Sequence, residues 1–85
     1  MPNEQWTIDI HRSVLQVLAP LPAGLADGVR NTIAGLPSNQ QAENHRAIEG
    51  LADTYEVAVG FFRVVYQIQA EKQRIKVAMV NLRIE

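Results

Sequence analysis

The sequence contains no cysteine, which excludes a disulfide, a thiolate metal site and a thiol nucleophile and leaves secretion unsupported. It also lacks a strong charge of either sign. Eight Lys plus Arg oppose nine Asp plus Glu, for a formal net charge of −1, so the chain is not a protein held on nucleic acid or anionic membrane by bulk charge, and only a local basic site could serve. Long hydrophobic runs are missing too, the longest falling far short of the ~18 residues a spanning helix needs. Met1-Pro2-Asn3-Glu4-Gln5 has no basic patch followed by an apolar stretch, and a cytoplasmic protein is the expectation. What is present is 85 residues, 47% of them hydrophobic and 20% charged, the composition of one compact domain over residues 1–85. A domain this small buries only somewhat over ~60% of the surface its unfolded chain exposes, so its stability is modest.

Trp6-Thr7-Ile8-Asp9-Ile10 alternates apolar with polar residues, which predicts a half-buried strand with Trp6, Ile8 and Ile10 on one face. From His11 the period becomes helical through Val14, Leu15 and Leu18, and Pro20 and Pro22 end that helix near Ala19. A second helix is predicted over 23–36, with Leu25, Val29, Ile33 and Leu36 as one apolar stripe. Gly24, Gly28 and Gly35 each weaken an isolated helix by up to ~1 kcal/mol relative to Ala, so packing must hold it. The polar stretch from Gln40 to Glu49 is open between a loop and a short exposed helix.

After Thr54 the chain reads as strand. Tyr55-Glu56-Val57-Ala58-Val59 alternates, Gly60 permits a tight turn, and Phe61 to Gln69 completes a hairpin. The polar connection Ala70-Glu71-Lys72-Gln73 leads to a further strand from Arg74 to Leu82, with Ile75, Val77 and Met79 expected on one face. The fold class is therefore α+β in two layers: an N-terminal strand, a helical hairpin, then a three-stranded antiparallel meander, all strands in one sheet. Leu25, Val29, Ile33, Phe62, Val64 and Ile68 are the expected core.

No dinucleotide or P-loop glycine spacing occurs, and no cofactor is expected. His11 and His45 lack the spacing and partners of a zinc site and read as solvated residues near element ends, so no metal is expected either. Ser13, at a strand-to-helix boundary without elbow glycines, reads as a helix cap rather than a nucleophile. Arg63 interrupts an apolar strand, and period two puts it with Phe61, Val65 and Gln67, opposite Phe62, Val64, Tyr66 and Ile68. Two readings stay open for it. The guanidinium can hold a phosphate bidentately, or it can pair with Glu56 across the hairpin, an interaction contributing at most ~1 kcal/mol if exposed.

The segment from Ile48 to Ile68, with Gly50, Tyr55, Gly60, Phe61, Phe62, Arg63 and Tyr66, resembles the toxins of the RelE/ParE superfamily. Their turn into "tyrosine, x, hydrophobic, x, hydrophobic, glycine, x, aromatic, arginine, hydrophobic, hydrophobic, tyrosine" has its counterpart here, and Val77 to Arg83 resembles their last strand. The order of elements is similar over most of the chain. The resemblance implies the toxin of a type II toxin–antitoxin system that inhibits translation by ribosome-dependent mRNA cleavage. Such an mRNA interferase is a metal-independent endoribonuclease without a cofactor. Arg63 would be the catalytic group at the scissile phosphate and Arg83 the second catalytic arginine.

The implied partners are a cognate antitoxin, the ribosome and mRNA, or DNA gyrase for a ParE-like inhibitor with no catalysis of its own. A catalytically inactive relative that only binds an antitoxin is the further alternative. Where ribosome-cutting members carry lysines before the arginine strand, this sequence has Glu56 and Ala58. Glu49 stands where a basic residue is usual, and the chain stops two residues after Arg83, where those members continue.

Overall fold

The computed structural model describes residues 6–38, 40 and 45–82. The strands β1 (Thr7–Ile10), β2 (His45–Ala47), β3 (Thr54–Val59), β4 (Phe62–Gln69) and β5 (Arg74–Leu82) and the helices α1 (Arg12–Leu18) and α2 (Ala23–Gly35) follow in the order β1-α1-α2-β2-β3-β4-β5. The strands form one sheet in the spatial order β1-β5-β4-β3-β2. β1 pairs with β5 in parallel, and the other pairs are antiparallel. None of the described helices is long and apolar enough to cross a membrane.

The helices start where the sequence signals placed them, with one change of capping residue. His11 has extended backbone and caps α1, its ring accepting a hydrogen bond from the Ser13 amide. Ser13, expected as the cap, is instead inside the first turn, because the cap falls two residues earlier, at His11, and α1 begins at Arg12. Pro22, with φ −55°, precedes α2, and its carbonyl accepts from the Leu25 and Ala26 amides. A proline suits a helix start, where its missing N–H is one of the groups that lack an intrahelical partner anyway.

Both helices cover the same face of the sheet. Val14 and Leu18 from α1 and Val29, Ile33 and the following Leu36 from α2 form one buried cluster with Val57, Phe62, Val64, Tyr66, Ile75, Val77 and Val80. Ile68, expected in the core, is partly buried against this cluster. Leu25 is not in it: the residue is 44% exposed, and Ala26 is buried in its place. On a helix turning ~100° per residue, Leu25 and Ala26 lie on opposite margins of the stripe centred on Val29 and Ile33, and α2 is rolled toward the Ala26 margin. The buried Tyr66 hydroxyl donates to the Gln40 carbonyl at 2.8 Å, so this deep phenol has a polar partner.

The hairpin of β3 and β4 turns at Gly60 and Phe61, with Val59 opposite Phe62. Gly60 has φ +58°, a conformation that glycine adopts without penalty and that a two-residue hairpin turn requires at its first position. β5 departs from simple alternation. Val65 pairs with Met79 but Tyr66 pairs with Val77, which leaves Ala78 as the extra residue of a β-bulge. The bulge inverts the side-chain order beyond it, so Ile75, Val77 and Val80 are buried and Met79 is exposed. The expectation that Met79 shares the face of Ile75 and Val77 is thereby corrected.

The stretch left open between loop and helix contains β2, a three-residue edge strand. Its pairing with β3 sets Arg46 opposite Glu56 and Ala47 opposite Tyr55, and the His45 ring packs on that of Tyr55 with centroids 5.4 Å apart.

Burial ranks the substitutions within α2. Ile33→Ala removes a buried side chain and is expected to cost roughly 2–5 kcal/mol, whereas Leu25→Ala is expected to cost under ~1 kcal/mol, both read from urea unfolding. Equal losses would mean that the helix is rolled the other way. A methyl group added at Gly28 would meet Val59 Cγ1 at 3.7 Å, an ordinary contact. Gly28→Ala is therefore expected to stabilise the protein by about 1 kcal/mol through helix propensity, seen as a higher urea midpoint.

Candidate functional site: the sheet face opposite the helices

Strand parity decides which side chains leave the core. Because Phe62, Val64 and Tyr66 are buried under the helices, Arg63, Val65, Gln67 and Gln69 must project from the opposite face. The cross-strand partners on that face are Ala58 and Asn81 for Arg63, Glu56 and Met79 for Val65, Thr54 and Lys76 for Gln67, and Arg74 for Gln69. Thr7 and Asp9 extend it along β1, and Arg46 extends it along β2. Among the described residues this face holds four cations, Arg46, Arg63, Arg74 and Lys76, against the two carboxylates Asp9 and Glu56. A chain with net charge −1 thus concentrates positive charge on one surface, the condition for binding a polyanion without a basic overall composition.

Arg63 occupies the middle of this surface. Its Nη1 donates to Glu56 Oε2 at 3.2 Å, and Glu56 Oε1 accepts from Arg46 Nη2 at 3.0 Å. The Glu56 side chain is only 17% exposed, against 40% for Arg63 and 81% for Arg46. The cross-hairpin pairing is therefore realised, and the Arg63 guanidinium still has its Nε–H buried without an acceptor. Since a guanidinium offers five N–H donors in a planar fork, Glu56 leaves most of that fork unused. The second expected arginine, Arg83, lies outside the described residues.

The other candidate groups fall elsewhere. The His11 Nδ1 accepts from the Ser13 amide at 3.1 Å and lies 2.9 Å from Ser13 Oγ, so the two form a helix cap rather than a nucleophile with its base. His45 belongs to the helix-covered side of the sheet, packed on Tyr55. Among the described residues no group of three or more histidine or carboxylate side chains gathers in a way that could hold a metal ion.

Residues that the sequence reading did not single out also reach this face. Arg74 and Lys76 could have been found from the alternation with Ile75 and Val77, because they precede the bulge. Arg46 gave no signal, since its three-residue strand has neither a β-branched run nor turn residues to frame it.

No family model matches the sequence, and no curated protein matches it. Solved structures do. The chain is similar to a chain of the archaeal RelE–RelB complex from Pyrococcus horikoshii OT3, with TM-score 0.83 and 21% identity over 93% of this chain and 96% of that one. It is similar to the isolated E. coli RelE toxin, with TM-score 0.79 and 18% identity over 94% and 86% of the two chains. It is also similar to a chain of the RelBE2 toxin–antitoxin complex from Mycobacterium tuberculosis, with TM-score 0.75 and 21% identity over 93% and 99%. The protein has the fold of the RelE toxins.

Arg63 is partly exposed, and Glu56 keeps Arg46 as a partner when Arg63 is removed. Arg63→Ala is expected to shift stability by less than ~1 kcal/mol, measured by urea unfolding. A loss of several kcal/mol would make Arg63 a structural residue.

Proposed function

We propose that this chain is the toxin of a type II toxin–antitoxin pair in the RelE/ParE superfamily, and that it stops translation by cutting mRNA on the ribosome. The observation that carries the proposal is a RelE-like sheet whose helix-free face presents Arg63 among further cations. In the reaction, the 2′-oxygen of a ribose attacks the adjacent phosphorus while the bond to the 5′-oxygen breaks. The 2′-hydroxyl gives up its proton, the 5′-oxygen takes one, and a cyclic phosphate results. Charge grows on the phosphoryl oxygens in the transition state, and preorganised donors aimed at them lower the barrier. Arg63 supplies such donors from the Nη groups that Glu56 leaves free. Arg83 joins it in this proposal on the strength of the sequence resemblance.

A cognate antitoxin is the proposed partner. RelE occurs with RelB in the Pyrococcus horikoshii complex. Exposed apolar side chains here, including Leu15, Leu51, Leu82 and the 73% exposed Phe61, offer surface to an amphipathic antitoxin segment. A second reading has its own support. Glu56 stands 3.2 Å from Arg63, where cleavage would be served better by another cation, and this favours a ParE-like gyrase inhibitor or an inactive relative that only binds an antitoxin.

A ribosome-programmed cleavage assay separates these readings. Wild type is expected to cut mRNA, and Arg63→Ala is expected to lose ~10²-fold or more in rate, by analogy with a lost oxyanion donor, with circular dichroism unchanged. Equal cleavage by the folded variant removes Arg63 from the mechanism. No cleavage by folded wild type gives the second reading precedence, and a supercoiling assay then tests gyrase.

A further inference from the structure

We propose that Glu56 is an internal competitor for the anion site on Arg63, and that Arg46 acts as a positioning residue by drawing the Glu56 carboxylate away from that site. The inference rests on the reading of this face as the surface that receives an RNA phosphodiester. It comes from the way one carboxylate is divided between two arginines of unequal exposure. Glu56 projects from β3, between β2 and β4, with one oxygen 3.0 Å from Arg46 Nη2 and the other 3.2 Å from Arg63 Nη1. A carboxylate and a phosphodiester seek the same donors, two N–H groups along one edge of the guanidinium. Glu56 occupies Nη1 only, and the Nε–H stays without an acceptor. The Nε–H is buried, so a phosphate engages the Nη donors that Glu56 leaves free, and it then lies beside the negative charge of Glu56.

Like charges at that range repel even where water screens them, and the penalty falls as the carboxylate is held elsewhere. Arg46 is the group that can hold it. It sits on the edge strand directly across from Glu56, and its side chain is largely in solvent, so it can keep the carboxylate when Arg63 turns its donors to an incoming phosphate. Glu56 weakens anion binding by this account, and Arg46 strengthens it through Glu56 rather than through a contact of its own.

The test uses the full chain and a trinucleotide whose scissile ribose is 2′-deoxy, so that it binds without being cut. Affinity and the Arg63 Nε–Hε resonance are followed by NMR titration in wild type, Glu56→Gln, Arg46→Ala and the double variant, with urea midpoints as the folding control. Glu56→Gln is expected to tighten binding about tenfold and Arg46→Ala to weaken it about threefold, an ordinary size for coupling between neighbouring charged groups. In the Glu56→Gln background, Arg46→Ala is expected to change affinity little. Unchanged or weaker binding by Glu56→Gln overturns the competitor. Equal weakening by Arg46→Ala in both backgrounds overturns the indirect role and makes Arg46 a plain phosphate contact. The toxin reading fails separately: if wild type cuts no mRNA and Glu56→Gln still tightens binding, the competitor stands without it. If wild type cuts and Glu56→Gln does not bind more tightly, only the competitor falls.

Discussion

The two-way alternation of β4 is the constraint on which both the core and the candidate site depend. This strand lies between β5 and β3 in the sheet, and its side chains can point only toward the helices or away from them. Phe62, Val64 and Tyr66 are buried on the helix side, so the direction of Arg63 is settled by the packing of its neighbours. Sliding the pairing by one residue would turn the guanidinium into the apolar layer and expose three large side chains. Gly60 guards against that slip, because its left-handed backbone closes the hairpin with Val59 directly opposite Phe62. The position of Arg63 thus follows from core formation and needs no strain of its own.

The same alternation explains what could be read from the sequence and where reading failed. The strand boundaries, the hairpin turn and the face of Arg63 follow from residue types at period two, and the two helices follow from their apolar spacing and the prolines between them. Met79 was misplaced because a bulge has no composition of its own. Ala78 is an ordinary small residue, and only the paired register of β4 and β5 shows that it has no partner. Leu25 was misplaced for a different reason. Periodicity locates an apolar stripe to within one residue on either margin, and the roll of α2 on the sheet decides which margin is buried. A small side chain at Ala26 lets the helix settle on that side, so the bulkier leucine is the one left in solvent.

Edge strand β2 was not legible because its stability is borrowed from β3. Three residues of mixed type have no strand preference worth measuring alone, and the pairing exists because β3 offers a free edge and Tyr55 a ring for His45. This strand is what brings Arg46 beside Glu56. The sequence suggested the Arg63–Glu56 pair from hairpin geometry, but not the third member, whose place depends on a contact between elements.

Charge on the face opposite the helices meets two opposed demands. Four cations on one face of the sheet, carried by β2, β4 and β5, raise each other's energy by mutual repulsion. A carboxylate among them lowers that repulsion, and Glu56, bonded to an arginine on either side, is placed to do so for both. Binding an external anion asks for the reverse, a surface whose positive charge has not already been matched from within. A lone Arg63 would serve a phosphate better and the sheet less well. The shared carboxylate settles between these demands, because it holds one donor of Arg63 and leaves its other Nη donors to whatever anion the face receives.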